Sequence, residues 1–238
     1  MVDIHSHILP NIDDGAKSIE ETLKLIDEAI NAGFTDIIST SHYMEGLCDA
    51  NKSKRESIIK DVQKILDENG IDMRIHNGAE CYISINTERL VKENIVPTLN
   101  NSRYILIEFP MNAKILFLEN IIQRLFDMDL VPIIAHPERY NYVQKNPKIL
   151  LSLIKKGVLF QANYGSITGV YGRQAKKTVE KLLKDKMIHI LATDVHRQHT
   201  IYTNMGSILK ALGKLVDDKY NRKLTQENPM KVLNDEVI

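Results

Sequence analysis

The sequence predicts an α/β protein organised around a parallel sheet. Short apolar runs rich in β-branched residues alternate with longer helical patterns from the first residues to about position 218. No linker, internal repeat or low-complexity tract interrupts that alternation, so residues 1–238 are read as one domain. A length of 238 residues suits one substantial core.

Taken in order, the first strand falls near 2–4 and leads to an amphipathic helix near 18–32. In that helix Ile19, Leu23, Ile26 and Ile30 recur at helical spacing, Ser18 with Glu21 forms a capping box, and Gly33 ends the segment. The second strand, near 36–39, is followed by a helix near 52–69, and the third, near 73–79, by a single short helix around 86–92. The fourth, near 104–109, precedes a helix near 115–129, and the fifth, near 131–135, one near 147–156. Strands near 158–162 and 188–192 complete seven, with helices near 173–185 and 203–216 and a short closing helix from Asn221. Seven parallel strands fit a closed or partly closed (β/α)7 barrel or an open doubly wound sheet.

Composition narrows the function. Lys and Arg number 31, as do Asp and Glu, so the formal net charge is zero, and the longest basic run is Lys52–Arg55. Neither feature fits a nucleic-acid tract, and no nucleic-acid partner is expected. The N-terminus lacks a basic and apolar leader, and no apolar run nears the roughly 20 residues that cross a bilayer, so no membrane insertion is expected. Two cysteines, Cys48 and Cys81, exclude a disulfide framework and point to a reducing, cytoplasmic setting. Six residues beyond them stand Lys54 and Thr87 instead of arginine, which rules out a thiolate phosphatase.

Imidazoles and carboxylates follow nearly every strand. His5 and His7 come after the first, His42 after the second, Glu80 after the third, Glu108 at the end of the fourth, His136 after the fifth, and Asp194 and His196 after the seventh. In a parallel α/β barrel all strand C-termini open on one face, where these side chains would converge. Alternation along a strand puts His5 with His7, and Asp194 with His196, on one side. A ligand set of imidazole and carboxylate without thiolate suits Mn, Fe or Zn, and several carboxylates suggest more than one metal. Such sites commonly hydrolyse phosphate esters or amides. His76 and His189 lie inside strand patterns and are read as packing or hydrogen-bonding residues, and His199 as a loop residue.

These residues fall in a familiar order. His5-Ser6-His7 with Asp13-Asp14-Gly15, Thr40-Ser41-His42, Gly78-Ala79-Glu80, Ile107-Glu108, the run from Ala135 to Tyr140, and Thr193-Asp194-Val195-His196 resemble the polymerase-and-histidinol-phosphatase (PHP) superfamily. Within it the chain is similar to the manganese-dependent protein-tyrosine phosphatases of bacterial capsule and exopolysaccharide biosynthesis, the CpsB/CapC type. The resemblance implies a distorted, TIM-like (β/α)7 barrel with its active site at the C-terminal ends of the strands. It also implies three divalent metals, manganese first and iron or zinc as alternatives. One would be held by His5, His7, Glu80 and Asp194, a second by Glu80, Glu108 and His136, and a third by Asp14, His42 and His196. Asp13 would cap or orient its loop.

By the same resemblance Arg139 and Arg197 bind the substrate phosphate. The family's second arginine stands several residues beyond the Asp-x-His motif, whereas this chain places Arg197 directly after His196. His196 or His199 is the candidate proton donor to the leaving oxygen, and Asn163 faces the site by register. The expected activity is metal-dependent hydrolysis of phosphotyrosine in proteins, with the tyrosine-rich tail of a bacterial tyrosine kinase as partner. The rivals are a small-molecule phosphatase acting on histidinol phosphate and a barrel that binds metal or a partner without catalysis. Zero net charge then reads differently, because metals would neutralise Asp14, Glu80, Glu108 and Asp194 and leave a cationic pocket suited to a phosphate monoester.

Overall fold

The computed structural model describes residues 1–113 and 117–238. Its strands are β1 (Val2–Ser6), β2 (Asp36–Ser39), β3 (His42–Tyr43), β4 (Arg74–Asn77), β5 (Glu80–Tyr82), β6 (Tyr104–Glu108), β7 (Val131–Ala135), β8 (Leu159–Asn163) and β9 (Ile190–Ala192). All their pairings are parallel. One sheet runs β1-β2-β4 and the other β3-β5-β6-β7-β8-β9.

Among the described residues, the seven expected strands become nine because two of them break. The second stops at Ser39 and restarts at His42, the third stops at Asn77 and restarts at Glu80, and each restart joins the other sheet. His42 and Glu80 therefore open short strands and pair with each other, where the sequence suggested loops. Backbone pairing continues across the breaks. The Thr40 N–H donates to the Ser6 carbonyl (2.8 Å) and the Glu80 N–H to the Thr40 carbonyl (2.9 Å). At the far edge the Asp194 N–H donates to His5 O (2.8 Å) and the His7 N–H to Val195 O (2.9 Å), which ties the end of β9 to β1.

The helices are α1 (Ile19–Asn31), α2 (Lys52–Glu68), α3 (Thr87–Lys92), α4 (Leu118–Phe126), α5 (Asn141–Lys145), α6 (Leu150–Lys155), α7 (Tyr164–Thr168), α8 (Gly172–Lys184), α9 (Met205–Leu212), α10 (Asp218–Arg222) and α11 (Asn228–Leu233). In α1 the Ser18 hydroxyl accepts from the Glu21 N–H (3.3 Å), as the capping box predicts, and Leu25, Ile26 and Ala29 are buried. The start of the helix expected near 115–129 lies outside the described residues. The C-terminal helix is longer than expected: α10 and α11 are joined by a π-helical turn, Lys223–Glu227. The sequence missed α5 and α7, whose five residues each are too few to show a 3.6-residue period.

Period-two alternation explains how the fold positions a site. One apolar cluster contains Tyr104 and Leu106 of β6, Ile133 and Ala135 of β7, Leu159 of β8, and Ile190 and Ala192 of β9. Two residues further along that same face stand Glu108 on β6, Gln161 and then Asn163 on β8, and Asp194 beyond β9. On β6, β8 and β9 this face is thus apolar low and polar at its C-terminal end, whereas His5 and His136 directly follow the cluster residues Ile4 and Ala135. The C-terminal segment covers the apolar end: Val232 joins that cluster, the Tyr104 hydroxyl donates to Glu236 O (2.6 Å), and the Arg103 N–H donates to Asp235 (2.7 Å).

Candidate metal centre

All nine expected ligands meet at the C-terminal ends of the strands. His5 Nε2 lies 3.2 Å from His7 Nε2, 3.1 Å from Glu80 Oε2 and 3.4 Å from Asp194 Oδ1. His7 Nε2 stands 3.3 Å from Glu80 Oε2 and 3.4 Å from Asp194 Oδ1. His42 Nδ1 is 3.1 Å from Glu80 Oε2 and 2.9 Å from Glu108 Oε1. His136 Nε2 lies 2.8 Å from Glu80 Oε1 and 4.0 Å from Glu108 Oε2. At the outer edge Asp14 Oδ1 is 3.6 Å from His42 Nε2 and 3.3 Å from His196 Nε2.

Three groups could each hold a cation: His5, His7, Glu80 and Asp194; His42, Glu80 and Glu108; and His7, Asp14, His42 and His196. The first has the same residues as one expected set. In the second His42 takes the place of His136, which stands against Glu80, and the third adds His7. Donors that share a cation at 2.0–2.2 Å lie about 3 Å apart, which is the spacing here. For all these close approaches, buried Glu80 Oε2 and His42 Nδ1 make no hydrogen bond of acceptable geometry, and a coordination bond would satisfy both. The donor set and these orphaned atoms fit divalent metal.

The electrostatics of the cluster say the same thing. Burial disfavours a charged His5, but the Glu80 and Asp194 carboxylates outweigh it and hold the imidazole up to about 9. His7 is likewise raised against burial, chiefly by Asp13. Conversely, Glu80 and Asp194 stay well below the usual carboxylate range despite burial, chiefly because of His5. Asp14 is drawn down to about 2, first by its hydrogen bond with His196. Carboxylates this dense need positive charge, and protons supply it where cations would bind.

A surrounding shell aims these donors. Asp13 accepts from His7 Nδ1 (2.7 Å), from the His42 N–H (2.8 Å) and from the Gly15 N–H (2.8 Å), so it orients while Asp14 faces the cluster. A Cβ at Gly15 would overlap the His7 carbonyl and side chain, which explains glycine in the Asp-Asp-Gly motif. His5 Nδ1 pairs with Gln161 Oε1 (2.8 Å), Gln161 Nε2 donates to Asn163 Oδ1 (2.9 Å), and Asn163 Nδ2 donates to Asp194 Oδ2 (2.6 Å). His136 and Asp194 both sit at positive φ, 33° and 52°, turning the chain sharply as it leaves β7 and β9.

Sequence reasoning missed Gln161 and Arg55. Gln161 had a signal, a polar residue two before Asn163 in an apolar strand. Arg55 looked like part of a basic surface run, yet it is fully buried. Its guanidinium donates to Ala50 O (2.7 Å), Ser41 O (2.8 Å), His42 O (2.7 Å) and Gly78 O (3.3 Å), clamping the two strand breaks that carry His42 and Glu80.

Arg139 Nη1 donates to Asp194 Oδ2 (2.8 Å), and its guanidinium carbon lies 4.5 Å from the centre of the Tyr171 ring. Arg197 Nη1 donates to Asp14 O (2.5 Å), Gly15 O (2.8 Å) and His196 O (2.9 Å), so this arginine braces the loop of Asp14 against that of His196. Both arginines line one cleft with Asp14, Asp194 and His196. The other three histidines lie elsewhere. His76 pairs with Asp36 (2.9 Å), His189 Nδ1 accepts from the Phe160 N–H (3.1 Å), and exposed His199 pairs with Glu28 (3.0 Å).

With the geometry in place, comparison with known proteins decides the family. Residues 1–234 match the family described as capsular polysaccharide synthesis, CpsB/CapC. The chain belongs to the CpsB/CapC family. It is 31% identical to the tyrosine-protein phosphatase CpsB of Streptococcus pneumoniae over a 243-residue alignment covering all of both chains. To the tyrosine-protein phosphatase YwqE of Bacillus subtilis it is 31% identical over 234 residues, covering 98% of this chain and 92% of the relative. A chain from the crystal structures of YwqE and CpsB, described as unique metal-dependent tyrosine phosphatases, superposes with a TM-score of 0.94 at 30% identity. That superposition covers 100% of this chain and 96% of the other. The lactonase Lmo2620 of Listeria monocytogenes, at TM-score 0.60 and 13% identity over 99% of this chain and 95% of its own, shares the fold alone. Among the described residues no helix is long and apolar enough to cross a membrane.

Proposed function

We propose that this CpsB/CapC-family protein is a metal-dependent protein-tyrosine phosphatase of capsular or exopolysaccharide synthesis. The observation that carries this reading is the converged set of imidazoles and carboxylates with Arg139 at its edge, in a chain whose full-length relatives bear that activity in their names. His5, His7, Asp14, His42, Glu80, Glu108, His136, Asp194 and His196 would hold three divalent cations, manganese in the first instance. The substrate is a phosphotyrosine protein, with a tyrosine kinase tail as the expected partner and the cytoplasm as the expected setting.

Bound cations would supply Lewis acidity, lowering the pKa of a water so that it loses a proton to solvent and becomes nucleophilic toward phosphorus, and would take up charge on the phosphoryl oxygens. The chain's own residues do the rest. Arg139 is fixed by Asp194 on one side and the Tyr171 ring on the other, so its fork meets phosphate without reorganisation. Arg197 holds the Asp14 loop through Nη1 and lines the same cleft as Arg139, where it would serve as the second arginine for the phosphate. His196 Nδ1 faces the Asp194 carbonyl (3.0 Å) and its Nε2 faces Asp14, which makes it a ligand before it is an acid. A tyrosyl phenolate, with a pKa near 10, leaves without a proton donor.

The test is hydrolysis by the manganese-loaded protein of a phosphotyrosine peptide against histidinol phosphate. Faster release from the peptide is expected, and it collapses in His136→Ala and Glu108→Gln. Far faster release from histidinol phosphate overturns the tyrosine assignment, and fewer than about two bound metals per chain overturns the multinuclear one.

A further inference from the structure

We propose that Val170 and Tyr171 form a wall for the phenyl ring of the substrate and set a preference for aryl over alkyl phosphate esters. This rests on the phosphatase reading above and adds a subsite to it. The cleft beside the metal centre has a volume of about 340 Å³, which suits one side chain better than a large ligand. Asp14, Asp194 and His196 contribute its polar lining, and Val170, Tyr171 and Ile201 its apolar lining. Arg139 links the two, bonded to Asp194 and stacked on Tyr171. A phosphate held by Arg139 therefore has apolar surface beside it.

Val170 is an aliphatic residue left 57% exposed at this cleft, and packing of the core gives it no role. Its position is nevertheless fixed. At the end of α7 the Val170 N–H donates to Gly165 O (3.0 Å) and the Gly169 N–H to Ser166 O (3.1 Å), the paired bonds of a Schellman motif. Beneath it, a Cβ on Gly165 would lie 2.7 Å from Ile201 Cδ1, 3.0 Å from Tyr171 Cε2 and 3.3 Å from Val170 Cβ. Glycine at 165 is what lets these three apolar side chains draw together and leave the cleft open. An aryl ring entering there would cover Val170 and approach the stacked Arg139–Tyr171 pair, contacts that a serine ester cannot make.

Val170 is exposed, so Val170→Ser should leave folding intact. In the manganese-loaded protein this variant should lower kcat/KM for a phosphotyrosine peptide about fivefold while changing that for the matching phosphoserine peptide less than about twofold. Val170→Leu should retain the wild-type ratio. Binding gives a second readout: calorimetric affinity for phenylphosphonate should fall in Val170→Ser, and that for methylphosphonate should hold. Equal losses on both peptides, or on both phosphonates, overturn the wall and leave the phosphatase reading standing. A wild-type protein inert toward both peptides overturns the phosphatase reading and the wall with it.

Discussion

His5 and His7 at one end of the strands, and His189 at the start of β9, are all imidazoles taken out of water, yet their chemistry diverges. Burial alone acts on His189 and drives it down to about 4, so it stays neutral and accepts from the Phe160 N–H. Burial acts on His5 too, but Glu80 and Asp194 reverse its effect and hold that imidazole up to about 9. The difference teaches that burial does not mark a site in this protein; carboxylate density does. Around His5 and His7 the fold has collected more negative charge than a protein interior tolerates unpaired, and that excess is the cation-binding capacity.

Removing one carboxylate is the hardest blow to this contrast. Glu80 is central, with Oε2 within 3.1 Å of both His5 and His42 and 3.3 Å of His7. Glu80→Gln keeps the shape and removes the charge. We expect kcat/KM on phosphotyrosine peptide to fall by about a thousandfold or more, with fewer manganese ions retained per chain and an unchanged circular dichroism spectrum. Full activity with full metal content would show that carboxylate density is not what defines the centre.

A smaller effect separates aiming from binding. Asp13 touches His7 Nδ1 and the His42 backbone, and no expected ligand set includes it. Asp13→Asn keeps one acceptor and loses the charge that raises His7. Manganese affinity should weaken by about 10- to 100-fold, read by titration with a competing chelator, while saturating metal restores most of the turnover. Loss of turnover that metal cannot restore would move Asp13 from orienting to a direct role.

How much of this was legible in the sequence follows from which interactions are local. The ligands could be read because they sit at strand ends, all of which open on one shared C-terminal face when the strands run parallel. The strand breaks could not, since they depend on Thr40 and Gly78-Ala79 passing the chain from one sheet to the other. Arg55 was hidden for a related reason. Its four acceptors are carbonyls of Ala50, Ser41, His42 and Gly78, which no residue-type pattern encodes. Arg197 was legible as an arginine near the site, but its use in bracing carbonyls needed the fold of the Asp14 loop.

The mildest change in activity belongs to His189, and it tests the other half of the contrast. Its folded-state value of about 4 lies below the ordinary 6.5 that it regains on unfolding. Between those values the unfolded chain binds the extra proton, so stability falls as the pH drops through 6.5 and levels off below about 4. The limiting loss is about 3 kcal/mol. In His189→Gln the amide oxygen can still accept from the Phe160 N–H but cannot titrate. Activity near pH 7.5 should stay within about twofold of wild type, because the residue lies outside the ligand cluster. Denaturant unfolding of the metal-free proteins should show wild type losing stability relative to the variant from pH 7 to pH 4. The histidines of the ligand cluster are common to both chains and drop out of that difference. A difference that stays constant across the range would mean that His189 is not the neutral, buried counterpart of His5.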